Sequence, residues 1–288
     1  MGIQRKKAVA FQAYHTEGPI LVLPNAWDIA SARILVAAGA RAIGTTSMGI
    51  AASMGLPDEE CITLEDMLGV VERIASSVDV PVTADMETGY GKTPADVARS
   101  IERVAEAGAV GVNLEDGTGN PEKPLFEPGH LADRVRAARE AMNRLDLPLV
   151  INARTDVFLA KVGEAQERID ECLRRCEVYR EAGADCFFIP GGMQPEWIQE
   201  LTQGCELPIN VVANPAISRP VVPAVSELER LGVRRVSTGS GLMRASLAYT
   251  QRASRELLDM GTYDVMRSEL DRDDAPDSYR IAIDRWPN

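Results

Sequence analysis

The chain has 288 residues, 45% of them hydrophobic, enough for one substantial core. Its 31 basic and 43 acidic residues leave a net charge of −12, which argues against nucleic acid or an anionic lipid surface as the main partner. No apolar run approaches the roughly 20 residues that span a bilayer.

The opening Met1-Gly-Ile-Gln-Arg-Lys-Lys-Ala8 has no apolar segment behind its basic residues, and Lys6 stands where a myristoylation signal needs Ser or Thr. A cytoplasmic protein is expected. Its five cysteines (Cys61, Cys172, Cys176, Cys186 and Cys205) are then expected as reduced thiols. Cys172 and Cys176 sit one helical turn apart, without a second His or Cys pair nearby to complete a metal site.

Along the chain, strands are predicted at about 19–24, 42–46, 80–85, 110–114, 148–152, 185–189, 208–212 and 234–238. Helical patterns lie between them, among others at 28–38, 63–76, 94–107, 130–145 and 164–182. Thr93-Pro94 supplies an N-cap with proline at the first helical position, and Thr63-Leu-Glu-Asp66 resembles a capping box. Glycines 39, 108, 183 and 232 recur where a helix hands over to a strand, each placed for the left-handed conformation. Repeated helix-to-strand units imply a parallel sheet, and eight of them favour a single closed (β/α)8 TIM-type barrel over residues 1–288. The alternative, an open doubly wound sheet, lacks a Gly-x-Gly-x-x-Gly or Walker motif after the first strand. Beyond about residue 254 the pattern changes. One helix ends near Gly261, another begins at Tyr263, and Asp271-Arg-Asp-Asp274 and Trp286-Pro287 follow. This extension, 254–288, is expected to pack on a neighbouring subunit.

Three strands end alike. Side chains on a strand alternate faces, so Thr83, Asp85 and Glu87 share one face, as do Asn113 and Glu115, and Val150, Asn152 and Arg154. In a barrel these ends converge on the active site. Gathered there, Asp85, Glu87 and Glu115 would repel one another unless a hard cation such as Mg2+ is present, with Mn2+ as a substitute. Arg154 would offer a bidentate donor to an anionic substrate. The competing reading is a set of ion pairs at the barrel mouth. Asp116 and Asp156, adjacent in sequence, are expected to point away as loop or cap residues.

Gly44-Thr-Thr-Ser-Met-Gly-Ile50 suits anion binding through N–H groups and hydroxyls, or is a plain tight turn. Gly117–Gly129 is a Gly/Pro-rich loop directly after Glu115, either a lid or a passive connection. Neither His15 nor His130 has a partner suggesting a Ser-His-Asp arrangement.

Together, Asn25-Ala-Trp-Asp28, Gly55-Leu-Pro-Asp58, Ala84-Asp-Met-Glu-Thr-Gly-Tyr-Gly91, Asn113-Leu-Glu-Asp-Gly117 and Asn152-Ala-Arg-Thr-Asp156 resemble the isocitrate lyase/phosphoenolpyruvate mutase superfamily, over roughly residues 10 to 250. The resemblance implies a barrel whose last helix is swapped with a neighbour, as a homotetramer built from dimers. It also implies Mg2+ held largely through water by Asp58, Asp85, Glu87 and Glu115, with Arg154, Thr46 and Ser47 on the α-oxyacid end of the substrate. The full set of expected substrate-binding residues is Thr46, Ser47, Asp85, Asn120, Arg154 and Asn210.

Two departures matter. The isocitrate and methylisocitrate lyases carry a Lys-Cys-Gly-His-type lid with a catalytic cysteine; this chain has Gly117-Thr-Gly-Asn-Pro-Glu-Lys123 and no cysteine between Cys61 and Cys172. Glu87 stands where many members have aspartate. The expectation is a Mg2+-dependent lyase of a small α-keto or α-hydroxy carboxylic acid acting through a pyruvate-type enolate, with Arg154, Lys123 and Tyr90 as catalytic candidates. Alternatives are a P–C bond enzyme (phosphonopyruvate mutase or hydrolase), an oxaloacetate-type decarboxylase, and a non-catalytic binder of 2-oxo acids.

Overall fold

The structure, a computed structural model, describes residues 2–218, 222–270 and 277–283. Nine strand segments run parallel in one sheet: β1 (Leu21–Leu23), β2 (Asn25–Ala26), β3 (Ile43–Thr45), β4 (Val82–Asp85), β5 (Gly111–Glu115), β6 (Val150–Arg154), β7 (Cys186–Ile189), β8 (Ile209–Val212) and β9 (Arg235–Ser237). The predicted strand at 19–24 is broken at Pro24, which has no N–H for a ladder bond. The piece before it, β1, pairs with β9, and the piece after it, β2, pairs with β3. Two halves of one strand thus bring the ends of the sheet together as a (β/α)8 barrel.

Helices α1 (Ile3–Thr16), α2 (Ile29–Ala37), α3 (Ser47–Ser53), α4 (Leu64–Ser77), α5 (Pro94–Glu106), α6 (Pro128–Arg144), α7 (Ala165–Glu181), α8 (Pro195–Gly204) and α9 (Val225–Arg230) precede or separate the strands. The handover glycines 39, 108, 183 and 232 have φ of 99°, 96°, 100° and 91°, so each helix ends as its sequence predicts. The expected cap of α5 is present as a full capping box between Thr93 and Asp96.

The small helix α1 was not among the expected elements. It covers one end of the barrel, where Ala8 and Phe11 are fully buried against Leu21, Leu23, Val110 and Val150. Gly111 makes room for it: a Cβ there would lie 2.7 Å from Phe11 Cε1.

One expectation is corrected. Cys176 of α7 and Cys205, at the end of α8, form a disulfide across 29 residues, while Cys61, Cys172 and Cys186 are free thiols. Successive βα units set α7 beside α8, a proximity that their sequence separation conceals.

After β9 come α10 (Gly241–Met260), α11 (Asp264–Leu270) and α12 (Ser278–Ile283). Although α10 is 20 residues long, it buries only Met243 and Ala253. Within this chain α12 returns to α2, where Arg33 Nη1 donates to Ala282 O at 2.7 Å. The expected features at 271–274 and 286–287 lie outside the described residues. Among the described residues, no helix is long and apolar enough to cross a membrane.

Candidate active site

Where β4 ends, Asp85 is fixed on both carboxylate oxygens. Its Oδ2 accepts from the backbone N–H and the hydroxyl of Ser47, each at 3.1 Å, and its Oδ1 accepts from Asn113 Nδ2 at 3.1 Å. Its own N–H donates to Thr45 Oγ1 at 2.9 Å. The hydroxylic turn after β3 therefore serves a protein carboxylate: Ser47 holds Asp85, and Thr46 caps α3 by accepting from Gly49 N.

Glu87 reaches the same rim by another route. It lies past the end of β4 with φ of 48°, in a turn where Gly89 and Tyr90 have φ of 106° and 53°. Strand alternation no longer applies there; the turn delivers the side chain. Glu87 Oε1 accepts from Tyr90 Oη at 2.9 Å and Oε2 from Glu60 N at 2.5 Å. Glu60 Oε1 in turn accepts from Thr88 Oγ1 at 2.7 Å and Tyr90 N at 2.9 Å. Glu60 had no sequence signal beyond its nearness to Asp58.

Arg154, at the end of β6, lies between two carboxylates. Its Nε and Nη2 donate to Asp156 Oδ1 and Oδ2 at 2.6 and 2.9 Å, and its Nη1 lies 2.6 Å from Glu115 Oε2. Asp156 therefore turns toward the site, contrary to the expectation that it points away; two residues past Arg154, it keeps the parity of that strand face. Asp116 does point away, accepting from Arg175 Nη1 and Tyr179 Oη of α7 at 2.7 Å each, while its Oδ1 accepts from Asp156 N at 2.9 Å. A guanidinium has five N–H donors. Two are committed to Asp156 here, and Nη1 adds an ion pair with Glu115.

The remaining predicted residues are dispersed. Asn210 of β8 is fully buried inside the barrel, its Oδ1 accepting from Ser237 Oγ at 3.2 Å and its Nδ2 unpartnered among the described residues. Asn120 and Lys123 sit exposed on the loop after β5. There Asn120 Oδ1 accepts from Glu122 N at 2.9 Å, and the loop closes on itself through Thr118 N to Pro124 O at 3.0 Å. Among the described residues, neither side chain makes a hydrogen bond or ion pair with the carboxylates. Tyr90 does, as a donor: burial and the Glu87 charge push its phenol upward, so it stays protonated.

The electrostatics are strained. Burial and the charge of Asp58 push Glu87 up to about 7. Burial, then Asp85, raises Asp58, and burial raises Glu115 against the opposing pull of Arg154. Asp58 Oδ1 is buried without a partner among the described residues. No three carboxylate, histidine or cysteine side chains among the described residues converge for direct ligation of one ion. This donor set fits a cation that keeps its own waters, the habit of Mg2+, whose charge would relieve the repulsion among Asp58, Asp85, Glu87 and Glu115.

Residues 11–258 match the family model described as phosphoenolpyruvate phosphomutase. The chain is 32% identical over 252 residues to the uncharacterized protein Rv1998c of Mycobacterium tuberculosis, covering 87% of this chain and 90% of that one. It is 34% identical over 199 residues to 2-methylisocitrate lyase of Escherichia coli, covering 67% of this chain and 62% of that enzyme. A provisionally assigned lyase/mutase of Burkholderia cenocepacia superposes with a TM-score of 0.89 at 34% identity, over 100% of this chain and 99% of that one.

Proposed function

This chain belongs to the phosphoenolpyruvate phosphomutase family, within the isocitrate lyase/phosphoenolpyruvate mutase superfamily, and from that premise we propose that it is a Mg2+-dependent lyase of a small α-keto or α-hydroxy carboxylic acid. One observation carries the reading. Arg154, held by Asp156 and ion-paired with Glu115, shares a rim with Asp85, itself immobilised by Ser47 and Asn113. An anion receptor beside an oriented acidic cluster suits a substrate that presents a carboxylate next to a carbonyl or hydroxyl.

Asp58, Asp85, Glu87 and Glu115 would hold the cation, which when bound supplies positive charge beside the substrate oxygen that becomes negative on bond cleavage. Arg154 donates to the substrate carboxylate, and Asp156 with Glu115 keeps its guanidinium oriented before the substrate arrives. Tyr90, protonated and bonded to Glu87, steadies that carboxylate as a donor and is not a base. The loop after β5 carries Lys123 but no cysteine, so proton transfer by the route of the cysteine-bearing lids is not available to it.

The family model's description favours P–C bond chemistry as the second reading. A panel of 2-oxo and 2-hydroxy diacids with Mg2+, followed for pyruvate, glyoxylate and CO2, should give turnover in the wild type and none in Asp85→Ala. Phosphonopyruvate in the same panel, followed by 31P NMR, reports the second reading. Tight Mg2+-dependent binding without turnover of any member would overturn both in favour of a 2-oxo acid binder.

A further inference from the structure

One hydrogen-bonding partner away from Asp85, inside the barrel, lies a guanidinium with no ion pair among the described residues. Arg235 of β9 is fully buried. Its Nη2 donates to Asn113 Oδ1 at 3.3 Å, its Nη1 lies 3.4 Å from His15 Nε2, and its Cζ is 5.8 Å from the centroid of the Phe11 ring. Nε has no partner among the described residues. Burial pulls its pKa down to about 10, yet it remains charged at neutral pH. A charge so placed costs stability, and an apolar side chain of similar volume would pack there at lower cost. Its retention calls for another explanation.

The partners supply one. Asn113 Oδ1 also accepts from Asn152 Nδ2 at 2.8 Å, and Asn113 Nδ2 donates to Asp85 Oδ1 at 3.1 Å. A carboxamide can be turned over to exchange its oxygen and nitrogen. Asn152, whose Oδ1 is unpartnered among the described residues, could turn together with Asn113. The reversed pair would present an oxygen to Asp85 and repel it. Arginine only donates. With Arg235 donating at its foot and the acceptor-only Asp85 carboxylate at its head, the chain has one favoured direction, ending in an N–H aimed at Asp85.

We propose that Arg235 is a positioning residue that fixes the direction of the Asn113–Asn152 amide pair and so holds Asp85 in the orientation the metal site uses. This rests on the reading of Asp85 as a metal-bearing carboxylate. A purely electrostatic role would have the opposite sign: removing a positive charge near a cation site should tighten cation binding. A merely structural role would lower the melting temperature and leave the metal affinity alone.

The test compares wild type, Arg235→Met and Arg235→Gln in the absence of substrate. Mn2+ dissociation constants come from EPR of the free ion, and metal-free crystal structures report Asp85. Arg235→Met should weaken Mn2+ binding by about tenfold or more, the usual effect of losing a partner behind a metal ligand, and Arg235→Gln by less. In both variants Asp85 should leave Asn113 Nδ2. An unchanged or tighter dissociation constant, or an Asp85 still seated on Asn113 and Ser47, overturns the proposal. Should Arg235→Met fail to fold, Arg235→Gln decides alone. If the wild type itself takes up no Mn2+, the metal reading falls, and the crystal structures still judge Arg235.

Discussion

Two nitrogens decide how His15 is charged. Nδ1 lies 2.8 Å from the Phe11 carbonyl and so carries the proton, which leaves Nε2 to accept from Arg235. Burial, reinforced by the Arg235 charge, depresses its pKa to about 3. The folded state therefore binds fewer protons than the unfolded chain between pH 3 and about 6.5, the ordinary histidine value. This contribution to stability is complete above that window and is lost as pH falls through it. Between pH 6.5 and 5 the advantage of wild type over His15→Gln should shrink by roughly 2 kcal/mol, as read from urea midpoints; a constant difference would refute the neutral imidazole. At Arg154, a lysine could not serve Asp156, Glu115 and a substrate together. Arg154→Lys should cost on the order of 10²–10³-fold in kcat/KM, with the melting temperature and secondary structure checked alongside.

The turn between β4 and α5 shows how an element places chemistry. Glu87, Gly89 and Tyr90 are all left-handed, and a Cβ on Gly89 would fall 2.7 Å from Val97 Cγ1. Such a turn needs external support. Helix α6 provides it: Arg134 donates to Thr88 O at 2.6 Å and to Gly91 O at 3.1 Å. Arg134→Met removes both bonds from part-buried carbonyls and should destabilise the fold by roughly 1–3 kcal/mol. It should also weaken Mn2+ binding, because Glu87 loses its frame. Calorimetric melting and metal titration check the two effects separately. Periodicity anticipated Thr83 and Asp85 on one face because both lie within β4. Glu87 was assigned to that face by the same rule and arrives there for a different reason.

For the molecule as a whole, α10 is the helix whose apolar residues its own chain leaves most exposed. A 20-residue helix that buries two side chains gains little from its own chain, whereas most helical stability in proteins comes from packing an apolar face. Leu247, Leu257, Leu258 and Met260 are exposed at 56%, 47%, 82% and 72%. We propose that a neighbouring subunit covers this face in a homotetramer of exchanged helices. The double variant Leu247→Glu/Leu258→Glu should then reduce the mass found by light scattering to that of a smaller species. An unchanged mass, or a monomeric wild type, counts against it.

Apart from α1 and the break at Pro24, the order of the barrel's strands and helices, the handover glycines and the acidic strand ends were legible in the sequence, since each is set by neighbours a few residues apart. What pairs with what was not. The ion pair of Arg154 with Glu115, the disulfide between Cys176 and Cys205 and the contact of Arg235 with Asn113, 122 residues away, arise only when the barrel closes. Backbone preference is local and leaves its mark in short patterns, whereas the charge balance of a buried site is a sum over distant segments that only tertiary structure brings together.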